Sequence, residues 1–181
     1  MRIRPSREKR LLHIRTAIRW LLYYVLIFAG FIIMVSGSML KPVILLPLAL
    51  AIAVGNDLYA STVTAAVCGL LTDIACGRLF GFNAVLFSVF CIAVWLVHEH
   101  YLRACFTNYM WLTAVIALLQ CRLDYVFYYG IWGYADAESI FLHLTLRVWL
   151  YTCISAVFVY LLTRLINKLR QREESRLITE N

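Results

Sequence analysis

Long apolar runs, broken by short charged or glycine-bearing turns, constrain this chain more than any other feature. Ile18–Val35, Leu58–Ala75, Phe80–Val97, Tyr109–Cys121 and Ser139–Leu162 carry hardly any charge. Most are about as long as a helix must be to cross ~30 Å of hydrocarbon at ~1.5 Å per residue. The chain has 181 residues, 63% of them hydrophobic and only 15% charged. An average soluble domain is about 25% charged. A soluble domain of this size could not hide so much apolar surface, so lipid is expected to be its solvent. The expected fold is all-α, a polytopic membrane protein of one domain. A basic segment (1–17) precedes a six-helix transmembrane domain (18–163), and a charged tail (164–181) follows.

Pro42–Val54 is the second of the six spans; it is short for a crossing and has to thin the bilayer, take in flanking residues or stay re-entrant. Pro42 suits a helix start, and Pro47 is expected to kink the interior. Ser36-Gly37-Ser38 and Gly55-Asn56-Asp57 make turns, and Gly77–Gly81 joins the third span to the fourth. Trp20, Tyr23 and Tyr24 stand where an aromatic belt belongs. Arg122–Glu138, rich in Tyr, Trp and Gly, suits headgroup depth as an interfacial loop or short helix.

Charge sets the topology. Of the 17 Lys and Arg, thirteen fall on one side of a six-span arrangement: seven from Arg2 to Arg19, Arg103, and five from Arg164 to Arg176. Lys41, Arg78 and Arg122 fall on the other side, and Arg147 lies within the sixth span. That is the positive-inside pattern, and it places both termini in the cytoplasm. The net charge of +7 therefore reads as topology and anionic-lipid contact. No aromatic or glycine pattern accompanies it as nucleic-acid binding would require.

The sharpest local feature is a row of small residues. Ser61, Ala65 and Gly69 recur every four positions, and Asp73, Gly77 and Gly81 continue the spacing. Residues four apart share a helix face, and small ones let another helix approach closely. Packing against the second or fourth span is the plainer use, and a subunit interface is the other. Asp73 lies near the outer end of its apolar helix, where an unpaired carboxylate is costly. Arg147 is its expected partner, in line with His143 one turn earlier. Arg122 and Asp124 are alternatives, as is simple contact with interfacial water.

Other groups point to no chemistry. His98-Glu99-His100 lacks the spacing that puts two imidazoles on one helix face, and reads as a solvated loop. Asp57 reads as a cap or turn residue. The six cysteines form no CxxC and suit membrane packing, although a Cys76–Cys121 disulfide is conceivable on position alone. There is no GxSxG, no phosphate-cradling loop and no paired intramembrane carboxylates. No enzyme activity, catalytic residue, metal or cofactor is expected.

The run Pro42 to about Tyr101 resembles MreD, the rod shape-determining membrane proteins of bacterial cell-wall elongation. The resemblance rests on Gly69-Leu70-Leu71-Thr72-Asp73 followed by Gly77 and Gly81, between two apolar helices. The motif covers about a third of the chain. The family's acidic residue after the helix-opening proline is absent, since Val43 follows Pro42. The resemblance implies a non-enzymatic partner of MreC, MreB, RodA and a class B penicillin-binding protein, in the bacterial inner membrane. It also implies a fold similar to the S components of energy-coupling-factor transporters. Gly69, Asp73, Gly77 and Gly81 would shape the corner between the third and fourth helices. An S-component-like transporter subunit is the alternative function. Its Ala-x-x-x-Ala face is missing from the first helix, where Leu21 follows Ala17, but Ala49 and Ala53 have the spacing on the second.

Overall fold

The computed structural model describes residues 7–36, 42–100, 105–130 and 145–179. These residues form helices and no strand. They are α1 (Arg7–Ser36), α2 (Leu45–Gly55), α3 (Leu58–Cys76), α4 (Phe82–His100), α5 (Phe106–Tyr125) and α6 (Leu146–Thr179), with a π-helical turn at Val126–Gly130 after α5. Five stretches are long and apolar enough to cross a membrane: Thr16–Ser36, Leu58–Cys76, Phe82–His100, Phe106–Tyr128 and Leu146–Ile166. Their outward faces carry Phe28, Val63, Val85, Trp111 and Phe158, all exposed. Water would penalise such a surface and lipid does not. The protein is a membrane-embedded, multi-pass helical protein.

The short second segment is not a sixth span of the same kind. Its helix has 11 residues, about 16 Å at the usual rise and roughly half the hydrocarbon thickness. Every residue from Leu45 to Ala53 is buried. A helix that is apolar all round belongs inside a bundle, and α2 packs against α1, α3, α4, α5 and α6. Lipid is as apolar as leucine, so this burial is driven by close packing and internal hydrogen bonds. Ala49, Ala51 and Ala53 keep the neighbouring backbones near.

Pro42 does not open the helix. It lies in non-helical backbone three residues before it. Pro47 sits in the first turn of α2, where its missing N–H leaves no intrahelical bond unmade, so the expected kink has no cause. Non-helical backbone at membrane depth needs internal partners. Val43 N–H donates to Thr152 Oγ1 (3.2 Å), and Tyr109 Oη donates to the Pro47 carbonyl (2.8 Å). Asn56 Nδ2 closes the other end of α2 on the Ile52 carbonyl (2.8 Å).

Other boundaries move outward. Helix α1 extends N-terminal of the first apolar stretch, Thr16–Ser36, which agrees with the expected Ile18–Val35, and α5 continues through Arg122, Asp124 and Tyr125, which the sequence places in an interfacial loop or short helix. Helix α6 runs without a break past Leu162 into the charged tail. Residues 131–144, including Asp136, Glu138 and His143, lie outside the described part. So do Lys41 and Arg103. None of the six cysteines is disulfide-bonded, which removes the Cys76–Cys121 disulfide.

Helices α5 and α6 pack side by side. Trp149 Nε1 donates to the Ala114 carbonyl (2.9 Å), and Tyr160 meets Phe106 and Tyr109 with ring centroids 5.0 and 5.1 Å apart. The start of α5 therefore lies beside the end of the apolar part of α6. The end of α5 lies beside the α3–α4 corner.

Candidate functional site

The corner begins with a helix that must stop. Gly77 follows the last turn of α3 in the left-handed region (φ +63°, ψ +36°). Arg78 N–H returns to the Asp73 carbonyl (3.0 Å) and Gly77 N–H to the Ile74 carbonyl (3.4 Å). This paired closure satisfies end carbonyls and favours glycine at the left-handed position. Gly81, the second left-handed glycine (φ +97°), turns the chain into α4.

Asp73 then ties the two helices together. Its side chain reaches from α3 to the first N–H groups of α4, which have no intrahelical partner. Oδ2 accepts from Gly81 N (2.8 Å) and Asn83 N (3.2 Å), and Oδ1 accepts from Asn83 Nδ2 (2.7 Å). A carboxylate at a helix N-terminus also meets the positive end of the helix dipole. Asp73 is 1% exposed and Asn83 is fully buried, so the charge is solvated by protein N–H groups in place of water.

The network continues into α5. Gln120 Nε2 donates to Asn83 Oδ1 and to Asp124 Oδ1 (3.3 Å). Asp124 Oδ2 pairs with Arg78 Nη1. The Arg78 guanidinium also lies over the Tyr128 ring, 5.5 Å from its centroid. Burial works against charge on Arg78, but the Asp124 carboxylate, together with Cys76 and Tyr128, outweighs it and lifts the guanidinium above its ordinary pKa. Tyr128 Oη accepts from Leu79 N (2.9 Å), and Phe82 stacks on Phe127 at 4.6 Å. A continuous polar path thus runs Asp73–Asn83–Gln120–Asp124–Arg78, edged by aromatics.

The expected Asp73–Arg147 pair is not made. Arg147 is exposed on α6, and Asp73 has found backbone donors instead. Arg122, an alternative partner, is also exposed. Asp124 belongs to the same network, joined through Gln120 and Asn83.

The small-residue row faces inward. Ser61, Ala65, Gly69 and Asp73 are all buried. A β-carbon at Gly69 would lie 2.4 Å from Ala84 Cα and 2.4 Å from the Asn83 carbonyl oxygen, so α3 and α4 touch through backbone there. Gly77 and Gly81 would meet nothing within 4 Å; their constraint is conformational. Sequence reasoning did not single out Asn83, Gln120 or Arg78. Gln120 and Asp124 stand four apart inside an apolar run, and that spacing was the available signal.

Among the described residues, no group of three His, Cys, Asp or Glu side chains could hold a metal ion. The chain matches no protein-family model, and comparisons with curated proteins and with solved structures find no match.

Proposed function

We propose that this protein is a non-enzymatic membrane scaffold of the cell-wall elongation machinery, supporting rod shape by docking MreC or the RodA–penicillin-binding-protein synthase. MreB would be reached directly or through these partners. The observation that carries this reading is the use of Asp73. In the Gly69–Gly81 run that resembles MreD, the carboxylate is spent on the start of α4. A group so fully engaged positions a corner and does not act as a base or nucleophile.

In this reading the bundle crosses the bacterial inner membrane six times. The sixth crossing is α2 with its non-helical lead-in Pro42–Ile44. Both termini are then cytoplasmic, as the distribution of Lys and Arg favours. The α3–α4 corner lies at the outer face, within reach of extracytoplasmic partner domains. The S-component-like alternative gains nothing from α2, since Ala49 and Ala53 are buried and present no face to a coupling subunit.

Affinity purification of the tagged full chain should recover MreC, and clean deletion should round the cells. Normal rods after deletion, or tight vitamin binding by the purified protein, would contradict this reading.

A further inference from the structure

Among the described residues, six side-chain N or O atoms are buried without a hydrogen-bond partner, and four of them gather at the end of the bundle where α3 begins. They are Arg19 Nε, Asn56 Oδ1, Ser61 Oγ and His98 Nε2. Helix register places them there. Gly30 of α1 lies beside the Leu45 and Ile44 side chains, and counting back along α1 while counting forward along α2 brings Arg19 level with Asn56. Gly69 lies against the Ala84 backbone, and the same count along the antiparallel pair α3 and α4 brings His98 level with the α2–α3 turn. Arg19 is one turn from Tyr23 (1% exposed) and His98 one turn from Val94 (2%), so both stand on the inward faces of their helices. Helix α3 packs on both α1 and α4, and the two basic side chains flank its start.

That start is open. Asp57 holds the N-cap position, but its exposed side chain makes no cap hydrogen bond. The first N–H groups of a helix have no intrahelical partner. Ser61, in the first turn, is fully buried. Thr62 and Thr64 donate to carbonyls four residues back (2.8 and 2.7 Å), whereas the Ser61 hydroxyl makes no bond, and its Cβ tilts towards the helix start. A helix N-terminus ringed by an unpaired guanidinium N–H, imidazole and hydroxyl suits an anion. The Asp57 carboxylate opposes this only weakly, because it is exposed and screened. Asn56 adds an acceptor. Its Nδ2 is committed to the Ile52 carbonyl (2.8 Å), which leaves Oδ1 for a donor carried by the ligand.

We propose that the start of α3 binds a phosphate group carried by a lipid headgroup. Arg19, His98, the Ser61 hydroxyl and the first N–H groups of α3 hold the phosphate, and Asn56 Oδ1 accepts from a headgroup hydroxyl. The apolar stretches of α1 and α3 begin at Thr16 and Leu58, so this turn lies at headgroup depth. Phosphatidylglycerol supplies both the phosphate and the hydroxyl. Phosphatidylcholine has no donor for Asn56 and brings a cation towards Arg19. Inorganic phosphate offers the same anion without acyl chains. This inference does not rest on the scaffold reading.

The test is the thermal stability of the delipidated full chain in uncharged detergent, with phosphatidylglycerol, phosphatidylcholine or inorganic phosphate added. Phosphatidylglycerol should raise Tm by about 4 °C at a tenfold excess over Kd, and phosphatidylcholine should not. R19Q should keep its helical circular dichroism and lose the rise. R164Q, which removes an exposed charge of α6 at the same end of the bundle, should keep it. An equal rise with inorganic phosphate supports the phosphate site and makes the free ion its occupant. Should R19Q fail to fold, native mass spectrometry of the wild type decides, with phosphatidylglycerol retained over an equal amount of phosphatidylcholine. Equal rises with the two lipids, an undiminished rise in R19Q, a loss in R164Q as large as in R19Q, or no preferential retention would overturn the proposal.

Discussion

Asp73 of α3 caps α4, its Oδ2 accepting the Gly81 N–H at 2.8 Å while Oδ1 takes the Asn83 side chain at 2.7 Å. The same residue's carbonyl receives Arg78 N–H at the end of α3. One residue thus closes one helix and opens the next. Replacing it with Ala leaves two backbone donors and the Asn83 amide without their acceptor in a buried site. D73A should cost about 3–5 kcal/mol and D73N less, because the amide keeps one acceptor oxygen. Denaturation in mild detergent, read by circular dichroism, checks the order.

Gly69 admits no larger residue. Its neighbours are Ala84 and Asn83 backbone atoms at 2.4 Å, which cannot rotate away as a side-chain tip would. G69A should destabilise by about 1–3 kcal/mol and G69V by more. G77A, with open space but a left-handed backbone, should cost only about 1 kcal/mol. If G77A proves the worse of the two by thermal melting, the close approach of α3 to α4 is not what fixes this corner.

Arg78 and Asp124 should behave as a coupled pair. Removing either partner leaves the other charged and largely buried, at about 3–5 kcal/mol. The double variant R78A/D124A should cost clearly less than the sum of the singles, and a double-mutant cycle measures the difference. The sign of the pH response follows from Arg78. Its pKa is raised, so its contribution is complete below the ordinary arginine value and fades only as pH rises past the folded one. Alkaline titration up to about pH 10 should therefore leave the contribution of this guanidinium intact.

Thr152 serves the break before α2. It accepts from Val43 N–H and donates to the Val148 carbonyl (2.8 Å). T152V keeps the shape and orphans a backbone donor at membrane depth, at about 1–3 kcal/mol. T152S should be nearly neutral. Equal stability of T152V and T152S would show that the non-helical lead-in does not depend on this bond.

The helical membrane architecture was legible because apolar run length depends on lipid thickness alone. The corner was legible in outline, since Gly77 and Gly81 mark places where the chain must turn. The partner of Asp73 was not. A buried carboxylate in a sequence suggests a cation, and Arg147 was within plausible reach; helix-end N–H groups carry no residue letter, so this competitor is invisible until α4 is in place. The burial of α2 was hidden for a similar reason. An 11-residue apolar run looks alike in lipid and in a bundle centre, and only its five neighbours decide between them.

In the proposed topology α2 completes a sixth crossing, so that the α3–α4 corner would lie outside and both chain ends inside. Reporter fusions active only in the cytoplasm or only outside it, placed at each terminus and after Leu79, measure this directly. Cytoplasmic signal from both termini and external signal from the corner is the predicted result. Termini reporting from opposite sides would contradict it.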